Sequence, residues 1–257
     1  MNWLRILAFV PLALLVLPVV ALLYWGFGPM ISSQGYSTQV FRSIFLTLLA
    51  SAFTVVAEVV LFTPLSYYLA RNRNALAETF ADIPASVPHP IIGIALVVLD
   101  SPLTPTGRFL LSIGVNFFNT MLGLVTALTI VSAPIYIKAM QPYFESMNRA
   151  PEDFALGMGA SRLRTFGSVV LPNSIRGILS AALIALSRAM SEFGSIAIIA
   201  YVLLSAPLGL TGASPASVTI FNLYDAGDLN AAVTASAVLI AVSIPIMVAL
   251  RVVQRRK

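Results

Sequence analysis

Arg188 and Glu192 stand four residues apart inside a long apolar stretch. On a helix that spacing puts them on one face. A charge at mid-bilayer costs about 2.5–3.5 kcal/mol on insertion scales unless it is paired or meets water. Both side chains are therefore expected to point into a helix bundle or a cavity. Two roles stay open: a neutralising pair that locks helices together, or a pair bordering a polar path. Glu58 lies alone in another apolar stretch and needs a donor, either Arg188 or a serine. A structural role is expected for it.

The residue counts exclude most other chemistry. There is no cysteine, hence no disulfide, thiol nucleophile or cysteine-ligated zinc. The one histidine, His89, cannot build a His-rich metal site, a Ser-His-Asp triad or a His-Glu-x-x-His motif. Lying between Pro88 and Pro90, it reads as a loop or helix-start residue. A P-loop ends in Gly-Lys-Ser/Thr, but Lys138 follows Ile137 and Lys257 follows Arg256. The chain has no ATP-hydrolysing motif of its own.

The elements that carry these residues are expected to be membrane-spanning helices. Of 257 residues, 58% are hydrophobic and 10% charged, against roughly 25% charged in a soluble domain. Spans of roughly 20 apolar residues are expected at about 6–27, 41–69, 83–99, 120–139, 177–204 and 229–250. The first follows Arg5 and reads as a retained helix rather than a cleaved signal. Phe109–Phe118 reads as a short surface helix, and Pro134 as a kink. The prolines Pro11, Pro18, Pro64 and Pro245 are also read as kinks rather than hinges. The expected organisation is 1–38 (first helix and outer loop), 39–250 (the main membrane domain) and 251–257 (a basic tail). There is no internal repeat.

Six spans put both termini on one side. Arg5, Arg71, Arg73, Lys138, Arg149, Arg162, Arg164, Arg176, Arg251, Arg255, Arg256 and Lys257 fall on that side, twelve of the fifteen basic residues. The positive-inside rule makes it cytoplasmic. Asp100, Arg108, Asp225 and Asp228 then lie in outer loops. The net charge of +5 orients the chain against anionic lipid headgroups and is not read as nucleic-acid binding.

The cytoplasmic loop at about 141–176 carries its own signals. Pro151 suits a first helical turn, and Glu152 and Asp153 complement the helix dipole. Gly157 and Gly159 stop the helix after about two turns. Ser161 caps a second helix through Arg162, Arg164, Phe166 and Val169, which Pro172 interrupts or redirects. Phe154, Leu156 and Met158 are expected to be exposed. Such a unit either rests on the bilayer or docks into a groove of a partner.

This loop resembles that of permease subunits of ABC importers, whose pattern is Glu-Ala-Ala, three residues, Gly, nine residues, Ile-x-Leu-Pro. Here it reads Asp153-Phe154-Ala155, Gly159, and Val169-Val170-Leu171-Pro172. The stretches 47–71, 82–96 and 227–232 resemble the same family, and Ser187–Gly194 is similar to the Arg-x-x-x-Glu-Phe-Gly stretch of its molybdate and tungstate permeases. The resemblance implies an all-α type I ABC importer permease fold, a multi-pass cell-membrane location and a homodimer. It implies two ATP-binding cassette subunits, which would use the ATP and Mg, and an extracytoplasmic substrate-binding protein. No cofactor is expected on this chain. Glu152, Asp153, Phe154, Ala155, Leu156, Gly157, Met158, Gly159 and Ala160 would couple to the ATPase. Ser187, Arg188, Ser191 and Glu192 would border the path, with Arg188 and the serines meeting an oxyanion and Glu192 not a ligand. The alternatives are the same fold carrying sulfate, phosphate or another solute, and an ion-coupled secondary transporter, which would show inverted repeats.

Overall fold

The computed structural model describes residues 2–72 and 74–255. Arg73, Arg256 and Lys257, counted above for orientation, lie outside the described residues. The first apolar stretch forms α1 (Asn2–Gly26). It packs along the last helix at Gly26, where a Cβ would lie 2.8 Å from the Val233 carbonyl oxygen. Its other face exposes Leu14, Leu15 and Leu17, as lipid contact requires.

Next comes α2 (Thr38–Arg71), 34 residues long and capped by the Ser37 side chain. One face carries small and polar residues: Ser43, Thr47, Ala50, Ser51, Thr54 and Glu58, all buried. Such a face lets two backbones approach closely. Later helices meet it. The third apolar region is a broken pair, α3 (Ala75–Ser86) and α4 (His89–Asp100), bent by 103°. A single straight span starting near Ile83 does not form. Pro88 disfavours helical geometry at Val87, which is extended at ψ 137°, and is itself extended at ψ 128°. The chain therefore turns there. α3 is held to α6 by Lys138–Asp82 at 3.1 Å and by Gln141 donating to Glu78 at 3.2 Å.

The surface helix is α5 (Pro105–Ser112), earlier in sequence than expected; residues 115–117 are not helical. Then α6 (Met121–Ser146) runs through Pro134 and Pro142 well beyond Ala139. It meets α2 at several levels. Thr54 donates to the Val125 carbonyl at 3.5 Å, Ser132 donates to Glu58, and Thr63 and Tyr136 share a 2.6 Å hydrogen bond. Leu46, Ala50, Leu124, Ala127 and Leu128 fill the seam where both helices begin.

α7 (Ala150–Gly157) is the short helix expected after Pro151. α8 (Arg162–Thr165) passes through a π-helical turn, Phe166–Val170, into α9 (Leu171–Met190). Pro172 therefore does not interrupt the segment. In the π turn Leu171 donates to the Phe166 carbonyl, five residues back, and a local change of this kind absorbs the proline's missing donor. The span thus starts earlier than Gly177 and stops at Met190, not Leu204.

Beyond Met190 the residues stay apolar but the helix ends. One turn, α10 (Ile196–Ile199), is followed by a loop with positive φ at Leu208, Gly209 and Gly212. Arg42 donates to the carbonyls of Gly209 and Thr211, tying this loop to α2. α11 (Ala216–Asp225) returns against α2, where Thr219 bonds Ser43 at 2.7 Å. α12 (Leu229–Arg255) closes the bundle against α1, α9 and α11. Among the described residues, five helices are long and apolar enough to span, or six with the bent pair taken as one.

α4 lies so close to the segment after α9 that a Cβ on Gly93 would sit 2.5 Å from the Ser195 carbonyl oxygen. Gly93→Val is therefore expected to lower the melting temperature of the purified chain in detergent, the cost of such overpacking being about 1–3 kcal/mol. Gly157→Ala, where the added carbon meets nothing within 4 Å, is the control expected to leave it unchanged.

Candidate functional site

Glu192 organises the first of two candidate sites. It lies two residues beyond the end of α9 and is 2% exposed. Its Oε2 accepts from Arg188 Nη2 at 3.0 Å and lies 2.9 Å from His89 Nδ1. Its Oε1 accepts from the Ser195 amide at 2.9 Å and the Ser195 hydroxyl at 3.0 Å. Its carbonyl accepts from Ser217 of α11 at 2.8 Å. A buried carboxylate needs this many donors to remain in place.

The two side chains that meet it are more open than the carboxylate. Arg188 and His89 keep 21% and 33% of their side chains exposed. Arg188 Nη2 is 2.8 Å from Nδ1 and 3.0 Å from Nε2 of His89, so guanidinium and imidazole lie against each other. The network fits an imidazole that donates from Nδ1 to Glu192 and accepts at Nε2 from Arg188. Gly194 permits this approach, since a Cβ there would lie 3.2 Å from the His89 Cβ.

The sequence-predicted residues separate here. Arg188, Ser191 and Glu192 come together, with Arg188 donating to Ser191 at 3.3 Å. Ser187 spends its hydroxyl on the Leu183 carbonyl of its own helix. His89 begins α4, as a helix-start residue would, but also joins the cluster. Its only sequence signal was an imidazole between two prolines. Glu58 takes its donor from Ser132 and not from Arg188.

The second candidate site is α7. Its end is set by Gly159 at φ +87°, with Met158, Gly159 and Ala160 amides returning to Phe154, Leu156 and Ala155 carbonyls. Ser161 then caps α8, accepting from the Arg164 amide at 3.3 Å. Phe154 is 73%, Met158 75% and Leu163 81% exposed, and Asp153, Leu156 and Gly157 lie on the same open side. Ala155 and Ala160 are half-buried. Leu163 was not singled out by sequence, because its position in α8 gave no periodic signal.

Glu152, one of the residues expected to couple to the ATPase, is turned the other way. It is buried and paired with Arg71, the last residue of α2. Tyr67 also donates to it at 2.8 Å. Arg71 spends a further donor on the Phe144 carbonyl near the end of α6. The Tyr67 ring meets Phe144 edge to face, centroids 5.5 Å apart, and Phe166 at a tilt, 5.0 Å apart. Burial pushes the Glu152 carboxyl up. The hydrogen bonds from Arg71 and Tyr67 and the charges of Arg71 and Arg149 outweigh it and hold the group below its ordinary value.

The model of the family described as "Binding-protein-dependent transport system inner membrane component" matches residues 62–257. The chain belongs to this family. It is 30% identical over 212 residues to the molybdate/tungstate transport system permease protein WtpB of Pyrococcus abyssi, covering 80% of this chain and 75% of that one. It is 26% identical over 257 residues to the sulfate transport system permease protein CysT of Synechocystis, covering 95% and 85%. A bacterial ABC transporter involved in the import of the acidic polysaccharide alginate superposes with TM-score 0.57 at 19% identity, covering 98% and 96%. The fold is that of a type I ABC importer permease, and the chain is a multi-pass transport subunit of the cell membrane.

The Glu152–Arg71 pair gives a pH prediction. A carboxyl held below its ordinary value contributes stability above that value and loses it as pH falls through the lowered one. Glu152→Gln is expected to cost about 3 kcal/mol, as for a buried pair that loses one member. The gap in melting temperature between wild type and Glu152→Gln should stay constant above the ordinary carboxylate range and shrink below it. A gap that does not change with pH would show that the charge is not what matters.

Proposed function

We propose that this permease forms, as a homodimer with both termini in the cytoplasm, the translocation path for a tetrahedral oxyanion, molybdate or tungstate first. The observation that carries this is the pairing of two half-open donors, Arg188 and His89, on one fully buried carboxylate. Glu192 holds them in place and is itself too well satisfied to meet an anion. Arg188 offers a planar fork of donors suited to oxyanion oxygens, with Ser191 beside it. The similarity to molybdate/tungstate permeases supports the anion class. Sulfate is the second reading, favoured by the sulfate permease match along nearly the whole chain.

The work would be supplied by two separate ATP-binding cassette subunits, which would bind the ATP and Mg. Phe154, Met158 and Leu163 form an apolar face of the kind that fills a partner's groove. Asp153 adds charge at its edge. An extracytoplasmic binding protein would deliver the anion to the opposite face, and ATP-driven closure would alternate the path between its two openings.

Arg188→Ala should lower uptake of labelled anion at least about tenfold, the equivalent of one charge-assisted hydrogen bond, while insertion and assembly persist. Normal uptake by this variant would exclude Arg188 from the path. Competition among labelled molybdate, tungstate, sulfate and phosphate ranks the substrates. Phe154→Glu is expected to abolish co-purification of the ATPase from the native membrane; retention in wild-type proportion would remove α7 as the docking element.

A further inference from the structure

We infer that Arg71, Tyr67 and Glu152 form a transmission clamp that makes the docking helix α7 and the inner ends of α2 and α6 one rigid body. The inference rests on the reading of α7 as the ATPase-docking element and extends it to how motion leaves that element.

An eight-residue helix has little stability of its own in water. α7 is therefore held in place by what it bonds to. Its outward side carries Asp153, Phe154 and Met158, all exposed. Its inward side packs against the π turn at 166–170, and Glu152 supplies its side-chain bonds to the spans, with both oxygens engaged. Oε1 takes Arg71 Nη2, while Oε2 takes the Tyr67 hydroxyl at 2.8 Å and Arg71 Nε at 3.3 Å. This is a two-pronged grip, and a planar guanidinium fixes direction as well as distance.

The grip reaches two spans at once. Arg71 ends α2, and its Nη1 donates at 2.6 Å to the Phe144 carbonyl, where the C-terminal end of α6 favours a cation. The guanidinium also lies 5.2 Å from the Tyr67 ring centroid. Phe144 and Phe166 close around that ring, which brings in the π turn leading to α9. The links flanking α7 are short and irregular: residues 147–149 before it, and Met158–Ser161 with its left-handed Gly159 after it. Without the clamp, a push on Phe154 or Met158 would turn α7 about these links. With it, the push moves α2, whose far half carries the contacts of Ser43 and Thr47 with α11. These are positioning residues; they act on the transport cycle through α7.

The test uses the complex purified from the native membrane and reconstituted with its binding protein. Uptake of labelled molybdate, tungstate and sulfate is measured together with ATP hydrolysis. Glu152→Gln and Arg71→Ala should lower anion transported per ATP hydrolysed by roughly fivefold or more, the lower end of typical coupling energies, while the ATPase still co-purifies. The exchanged pair, Arg71→Glu with Glu152→Arg, should recover part of that ratio. An unchanged ratio in both single variants would overturn the clamp. So would a loss of the ATPase from the complex that accounts for all the lost uptake, with no recovery in the exchanged pair. If wild-type chain brings down no ATPase, the docking reading itself fails, and the clamp's role falls with it.

Discussion

Charge and backbone polarity have no water to turn to inside a bilayer, and the protein's internal order follows from that constraint. Glu192 shows it most fully. The carboxylate is nearly inaccessible, and four donors from α4, α9 and the turn after α9 converge on it. Because α9 stops at Met190, the chain can bend back and present Ser195 to the same carboxylate. Because α4 starts at His89, after a 103° bend, an imidazole arrives at the same place. Two breaks in spanning helices are thus joined by one acid. Broken helices at membrane depth are tolerated where protein surrounds them.

The same constraint shapes the seam between α2 and α6. Apolar attraction between helices is weak in lipid, so close contact of small residues and shared hydrogen bonds hold them together. Ser132 with Glu58 and Thr63 with Tyr136 supply such bonds at successive depths. α2 thereby becomes the longest single unit of the bundle. It meets α11 at one end and the Glu152 pair at the other. A helix that is bonded along its length and tied to α7 at its C-terminal end suits a transport subunit.

α7 turns residues that are neighbours in sequence to opposite sides. Glu152 faces inward and Asp153 outward, as a helical step of about 100° requires of neighbours. Phe154 and Met158, four apart, share the outward face, and Leu163 extends it from the next helix. The family match places this loop within the region common to binding-protein-dependent permeases.

Much of this was legible in the sequence. The low charge and long apolar runs determined a helical membrane protein, because only helices or closed barrels satisfy their backbone in lipid. Pro151, Gly159 and Ser161 determined the short helix and the cap that follows it, since those signals act within a single turn. The Arg188–Glu192 contact was also local. The tertiary structure decided what distant segments did. It brought His89 to Glu192 across 103 positions, gave Glu58 its serine rather than its arginine, and turned Glu152 towards Arg71. It also ended α9 at Met190 within a run whose composition favoured a longer span. Hydropathy reports only that a residue avoids water; whether it then lies in a straight helix, a π turn or a re-entering loop depends on the donors that neighbouring elements bring to it.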